Sequence, residues 1–174
     1  MLAAVSACTS TSSRVTTTYY SIGGKTGADL DREIATKGPM KGHALASAAI
    51  KFVPVAISYD KSDTGCSYKT ARFRIDANIT LPRWSNQNSS DPGLRTAWRF
   101  LAEYAREHEQ VHIDIAEEHA RKLGEQLEAL APRKTCEALD AAGQQVLKRV
   151  KRDHNRAQLA FDAAENKRLA ALYN

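Results

Sequence analysis

Five consecutive residues, His108-Glu109-Gln110-Val111-His112, carry the densest chemistry in the chain. On a helix, residues four apart lie one above the other, so two imidazoles at this spacing can converge on one Zn²⁺ ion. A glutamate beside the first of them can take a proton from a water held at the ion. From average composition, the five-residue pattern arises by chance in well under about one chain in a hundred of this length. The competing reading is a helix surface that carries two histidines and a glutamate by accident. Against it stands the surrounding periodicity. Leu94, Trp98, Leu101, Ala105, His108, His112, Ile115 and His119 follow one another at alternating spacings of four and three, which is one continuous helical stripe. Both motif histidines are therefore expected on the buried face, where an imidazole without partners is costly.

Two long helices have to position this motif. Asp91-Pro92 is a strong helix start, with Asp at the N-cap and Pro at the first helical position. The pattern runs on to about Ala131, with Gly124 its only weak link, and Pro132-Arg133-Lys134-Thr135 reads as a turn. A second helix is expected from about Cys136 towards Leu172, its stripe carried by Leu139, Gly143, Val146, Val150, His154, Ala157, Phe161 and Ala164. Long helices joined by a short turn pack antiparallel. Counting equal rise from a turn centred at 133 or 134 sets position 112 against roughly position 155. His154 is thus the geometric candidate for a third metal ligand; the alternative is an interface histidine hydrogen-bonded across the hairpin. His119 lies about 10 Å along the axis from His112, and His43 sits in a loop with nothing to position it. Carboxylates, Asp114 or Asp153, are the expected partners of the ligating rings.

The first half reads as a sheet with one helix. Val15 to Ile22 is rich in Thr and Tyr and suits a strand, ended by Gly23-Gly24. A short helix follows from about Thr26 and is stopped by Gly38-Pro39. Phe52 to Tyr59 and Ser67 to Leu81 alternate as strands, the first with Pro54 pointing to an edge or a bulge. The residues from Asp60 to Gly65 have the composition of a hairpin connection. The expected class is α+β: a small, mainly antiparallel sheet with one short helix, followed by a long antiparallel helical hairpin carrying the motif, a zincin-like arrangement.

At 174 residues the chain fits a single domain. Its net charge of +5 includes the run Lys148-Arg149-Val150-Lys151-Arg152, but no aromatic platform or nucleic-acid motif accompanies it. A solvated helix face is the preferred reading, and no nucleic-acid partner is expected. No stretch is long and apolar enough for a transmembrane helix. Val5-Ser6-Ala7-Cys8, followed by Thr/Ser-rich sequence, resembles a bacterial lipoprotein lipobox. That resemblance implies cleavage before Cys8, lipidation of its thiol and attachment to a membrane through the lipid. Met1 to Ala7 is too short for a full signal peptide, as expected if the true start lies upstream. Residues 1–14 are thus read as a signal remnant and tether, and residues 15–174 as one zincin-like domain. Cys66 and Cys136 then remain as a pair that an exported protein would oxidise; the alternative is two unrelated reduced thiols in a cytosolic protein.

These residues together resemble a bacterial family of predicted secreted zinc-dependent proteases. The resemblance rests on Tyr20-Ser21-Ile22-Gly23-Gly24, Gly38-Pro39, Gly65-Cys66, Leu81-Pro82-Arg83-Trp84, Trp98, the motif with Ile113-Asp114-Ile115-Ala116 after it, Cys136 and Phe161-Asp162. It covers about residues 18 to 165. It implies export to the cell envelope or periplasm, zinc at His108 and His112, Glu109 as catalytic acid/base, and pairing of Cys66 with Cys136. Many members follow the last aromatic-Asp pair with a Thr-Gly-His-Gly-like segment. Here Ala163-Ala164-Glu165-Asn166 follows, without histidine; if that histidine is a metal ligand in the family, either His154 or Glu165 substitutes or the site is degenerate.

The leading expectation is a zinc-dependent peptidase, with Glu109 as general base and an extended peptide added to a sheet edge as substrate. The rival is a catalytically degenerate envelope lipoprotein, a binding module on a protease-like scaffold. The oligomeric state is left open by the sequence.

Overall fold

The computed structural model describes residues 13–63 and 65–172. Cys8 and the proposed tether up to residue 12 lie outside them. Three strands form one sheet in the order β1-β3-β2, with β1 at Arg14–Ile22, β2 at Ser47–Ser62 and β3 at Gly65–Trp84. The described residues also hold a 3-10 turn at Gln87–Ser89 and four α-helices: α1 at Gly27–Lys37, the single turn α2 at Pro39–Gly42, and the long α3 at Pro92–Glu128 and α4 at Cys136–Leu172. The class is α+β, as expected.

The sheet is mixed rather than mainly antiparallel. β2 and β3 form an antiparallel hairpin, from Ser47 opposite Thr80 to Ser62 opposite Gly65. β1 lies parallel to β3, from Arg14 opposite Asp76 to Ile22 opposite Trp84. A parallel pair needs a long crossover. Residues 23–46, with α1, supply part of it by carrying the chain from one edge of the sheet to the other before the hairpin begins. Pro54 does sit on an edge strand, beside a register shift that leaves Val55 as the extra residue.

β3 is longer than its alternating core suggests and is flanked on both sides. Ala71, Ile75, Ala77, Ile79 and Leu81 are buried at every second or fourth position, which is one face of a strand. That face packs on Ala105, Ile113, Ala116 and Ala120 of α3. Small alanines let the helix approach the sheet closely. A second cluster, Leu123, Leu127, Val146 and Val150 around Ala71, joins α3, α4 and the start of the sheet. A third joins Ile22, Leu30, Trp84 and Trp98 under α1. Trp84 and Trp98 stack edge to face, and the Trp84 indole N–H donates to Gly24 O at 2.9 Å.

Local chemistry sets the helix ends. Thr26 and Asp29 form a reciprocal capping box on α1. Asp91 accepts from the Leu94 N–H at 3.0 Å at the head of α3, with Pro92 in the first turn. α3 stops at Glu128, three residues before the expected end. The connection does not turn straight back. Arg133 pairs with Cys66 of β3 through both backbone hydrogen bonds, at 2.7 and 2.9 Å, and the Cys66–Cys136 disulfide fastens the start of α4 to the same strand. Among the described residues, no helix is long and apolar enough to cross a membrane.

Candidate metal centre

α3 buries Trp98, Ala105, Glu109, Ile113, Ala116, Ala120, Leu123 and Leu127, so its buried stripe runs through Glu109 rather than through the two motif histidines. Leu101, expected in that stripe, is 42% exposed. The cause is that α3 has two partners. β3 takes the face of Ala105, Ile113 and Ala116. α4 meets the neighbouring face through Tyr104, His108 and His112. The motif histidines therefore stand at the seam with α4, with only 21% and 14% of their side chains exposed.

Asp162 of α4 completes a group at that seam. His108 Nε2 and His112 Nε2 are 3.1 Å apart. Asp162 Oδ1 lies 3.3 Å from the first and 3.1 Å from the second. Ligands about 2.0–2.1 Å from a tetrahedral zinc ion stand about 3.3 Å from one another. The three atoms thus have the spacing of three corners of such a site, and two imidazoles with one carboxylate are within zinc's ligand classes. Among the described residues, His108, His112 and Asp162 are the group suited to holding a metal ion; the identity of the ion is not defined by the donors alone. Phe161 packs on both histidine rings, at 4.8 and 5.1 Å between centroids. His108 Nδ1 is buried without a hydrogen-bond partner. Burial, followed by the neighbouring His112, pushes the His108 pKa down, which favours the neutral ring a metal needs.

His154 stands one layer behind this group. Its Nε2 is 2.8 Å from Gln158 Nε2, and Gln158 in turn reaches His112 Nδ1 through its own Oε1. The ring also meets Phe52 and His119 edge to face, and burial lowers its pKa. The structure brings His154 near the motif but does not bring it among the three facing atoms. The register explains why. His108 faces Asp162 and His112 faces Gln158, so the residue across from 112 is three positions beyond the expected one. From 112 to the end of α3 is sixteen residues, and from the start of α4 to 158 is twenty-two. The connection spends the difference, about 9 Å at 1.5 Å per residue, running outward to pair with β3 before α4 begins.

Glu109 is 4% exposed. Burial raises its pKa to about 7, against a smaller opposing pull from His112. A group with that proton affinity can accept and release a proton near neutrality. On the far side of His108, Tyr104 donates to Glu165 Oε2 at 2.8 Å, and Arg168 grips both oxygens of Glu165 at 2.9 Å. Arg168 first, then Tyr104, hold the Glu165 pKa down to about 2. Glu165 is therefore an anion engaged by its own partners rather than a member of the triad.

The remaining candidates lie elsewhere. His43 caps α2, and His119 turns its Nδ1–H to Ile115 O at 2.7 Å. Asp114 accepts from Gln110, and Asp153 pairs with Arg156, so the partner of His112 is an amide and not a carboxylate. Asp162 and Gln158 are not among the expected ligands or partners: Asp162 enters the sequence reading only within the Phe161-Asp162 pair of the resemblance, and Gln158 carries no motif of its own. The phase of α4 held the signal: Gln158, Phe161 and Asp162 lie three and four residues apart on the face that opposes His108 and His112.

A family model described as "Bacterial protein of unknown function (DUF922)" matches residues 17–168. No curated protein and no solved structure matches the chain.

Proposed function

Because the chain belongs to this bacterial family of unknown function, whose description names no activity, its role has to be read from its own side chains, and we propose that it is a zinc-dependent peptidase. In this reading His108, His112 and Asp162 hold the ion and Glu109 is the general base. The observation that carries the reading is the triad of facing atoms, 3.1 to 3.3 Å apart, with the buried Glu109 next to His108 in sequence and within electrostatic reach of His112 and Asp162. A bound zinc ion would supply a Lewis acid that polarises a carbonyl and makes water acidic near neutral pH. Glu109 takes a proton from the attacking water and delivers it to the leaving amine, a task matched by its raised proton affinity. Phe161, against both histidine rings, keeps water from one side of the site. The outer edges of β1 and β2 are free within the sheet, and an extended peptide can be aligned on such an edge.

The disulfide between Cys66 and Cys136 supports an oxidising compartment outside the cytoplasm, with lipidation of Cys8 as the anchor. The competing reading is an envelope binding module that holds the metal structurally. It is favoured by the absence of a histidine after Phe161-Asp162, and it differs in predicting no turnover. The test is metal content together with hydrolysis of a mixed peptide library by wild type and Glu109→Gln. One zinc per chain in both, with turnover only in wild type, is the expected result. Equal turnover in Glu109→Gln removes the assignment of the base, and metal-loaded wild type without turnover favours the binding module.

A further inference from the structure

Gln158 lies on α4 four residues after His154 and four before Asp162, and its amide meets three groups that together leave it no freedom. At one end its nitrogen is 2.9 Å from the backbone carbonyl oxygen of His112 and 2.8 Å from His154 Nε2. At the other end its oxygen meets His112 Nδ1. A carbonyl oxygen only accepts hydrogen bonds, so the atom beside His112 O must be the amide nitrogen. The opposite atom is then the amide oxygen, which also only accepts. His112 Nδ1 must therefore carry a hydrogen, and in a neutral ring the lone pair is left on Nε2, the atom that faces His108 and Asp162. The same reasoning fixes His154. Its Nε2 accepts from Gln158, so its hydrogen sits on Nδ1, which lies 3.4 Å from Asn155 Oδ1.

We propose that Gln158 is a positioning residue that locks His112 into the tautomer a metal ligand requires, with His154 as the post that keeps Gln158 from turning over. The inference rests on the metal-centre reading above. It also gives His154 a place in the site: it acts on the ion's ligand through one intervening amide. The two motif histidines differ in this respect. His112 is backed by a directed chain of hydrogen bonds, whereas His108 Nδ1 has no partner and its ring is held by packing against Phe161. Partners of this kind on a ligating imidazole typically change metal affinity by about 10- to 100-fold.

The test uses the full chain and two readouts. Long-range ¹H–¹⁵N correlation spectra of the metal-free protein report which nitrogen of His112 is protonated; the expected result in wild type is Nδ1–H. Zinc affinity, from competition with a chromophoric chelator, is expected to fall about 10- to 100-fold in Gln158→Leu, which keeps the volume and loses the acceptor. Gln158→Glu keeps an acceptor for His112 Nδ1–H and is expected to stay within about threefold of wild type. A merely structural role for Gln158 makes the opposite prediction, since a carboxylate cannot donate to His112 O and should damage the site as much as leucine does. Unchanged affinity in Gln158→Leu, equal losses in both variants, or an Nε2–H His112 in wild type each overturns the proposal. If wild type binds no zinc, the metal-centre reading fails, while the wild-type tautomer still decides for or against the lock.

Discussion

The two ends of the α3/α4 pair are built on opposite principles. Near the turn, the pair is closed by apolar burial and a covalent bond. Leu123, Leu127, Val146 and Val150 pack around Ala71, Cys136 is tied to Cys66, and Asp140 accepts from both Tyr59 and Tyr68 at 2.8 and 2.9 Å. At the other end the same helices meet through His108, His112, Gln158, Asp162 and the Tyr104-Glu165-Arg168 cluster, with Glu109 buried on the neighbouring face of α3, and the stripe of α4 emerges into solvent at Ala164. One end lowers the free energy of the fold; the other sets polar groups in places that cost free energy until a ligand uses them. Separating the two lets a costly site exist without loosening the helix pair that carries it.

The largest effects are expected where the separation is attacked head-on. Replacing His112 or Asp162 with alanine should weaken zinc binding on the order of a thousandfold, since a three-ligand set is reduced to two. The thermal midpoint of the metal-free protein should change little in Asp162→Ala, because that side chain is 42% exposed, whereas His112→Ala should also lower it by a small amount because Gln158 Oε1 loses its partner. A matching loss of metal-free stability would mean that the site end also carries the fold. The converse variant, Cys66→Ser with Cys136→Ser, opens a link between residues 70 apart in sequence. Chain entropy sets its cost at about 4 kcal/mol, read from urea unfolding. Zinc affinity should change little. Joint failure of stability and metal binding would show that the outward run of the connection, held by the disulfide, also sets the register that brings Asp162 to His108.

That register is the part of the molecule least legible in the sequence. Strands, helix N-caps and the starts of both long helices follow from local chemistry, and Asp91-Pro92 and Thr26 act where they stand. The parallel placement of β1 does not, because strand order depends on the path of residues 23–46, which no local pattern encodes. His154 shows the limit most clearly. Its approach to His112 follows from a hairpin count, but the count assumes that the chain turns back at once. The pairing of Arg133 with Cys66 lies between residues far apart in sequence, and it moves α4 by three positions relative to α3. Glu109 shows a different limit. A motif glutamate reads as polar, yet it occupies the centre of the buried stripe, because the sheet and α4 divide the surface of α3 between them.

The burial of Glu109 gives a smaller effect with a defined sign. Its pKa in the metal-free fold is raised from 4.5 to about 7. The protonated form is the one the fold tolerates, so its contribution is fully present below pH 4.5 and is lost as pH rises towards 7. At about 1.4 kcal/mol for each tenfold change in proton affinity, the loss is on the order of 3 kcal/mol. His108 and His154, with lowered pKa values, act in the opposite sense, losing stability as pH falls below the usual histidine range. The difference between wild type and Glu109→Gln cancels those contributions. Metal-free Glu109→Gln should match wild type near pH 4 and exceed it by up to about 3 kcal/mol at pH 8, as measured by chemical denaturation. A difference that does not change with pH would mean that the carboxylate is solvated in the folded state.

The smallest effect sits at the closed end and probes whether tightness there matters to the site. Gly124 lies within α3 against the sheet, and a Cβ at that position would stand 2.2 Å from Ala71 O. Alanine is the better helix former by about 1 kcal/mol. The clash is with backbone, however, so α3 must move away from β3 or the strand must bend, at a cost of about 1–3 kcal/mol. The two contributions oppose each other, and Gly124→Ala should be net destabilising by about 1 kcal/mol. Gly124 is three turns along α3 from His112, about 18 Å at 1.5 Å per residue. If the two ends are independent, zinc affinity is unchanged in this variant. If the helix instead tilts as a rigid rod about its contact with Ala71, the displacement grows along its length and reaches the site. Metal binding would then fall by more than the stability does, and the division of labour between the two ends would have to be replaced by a single lever.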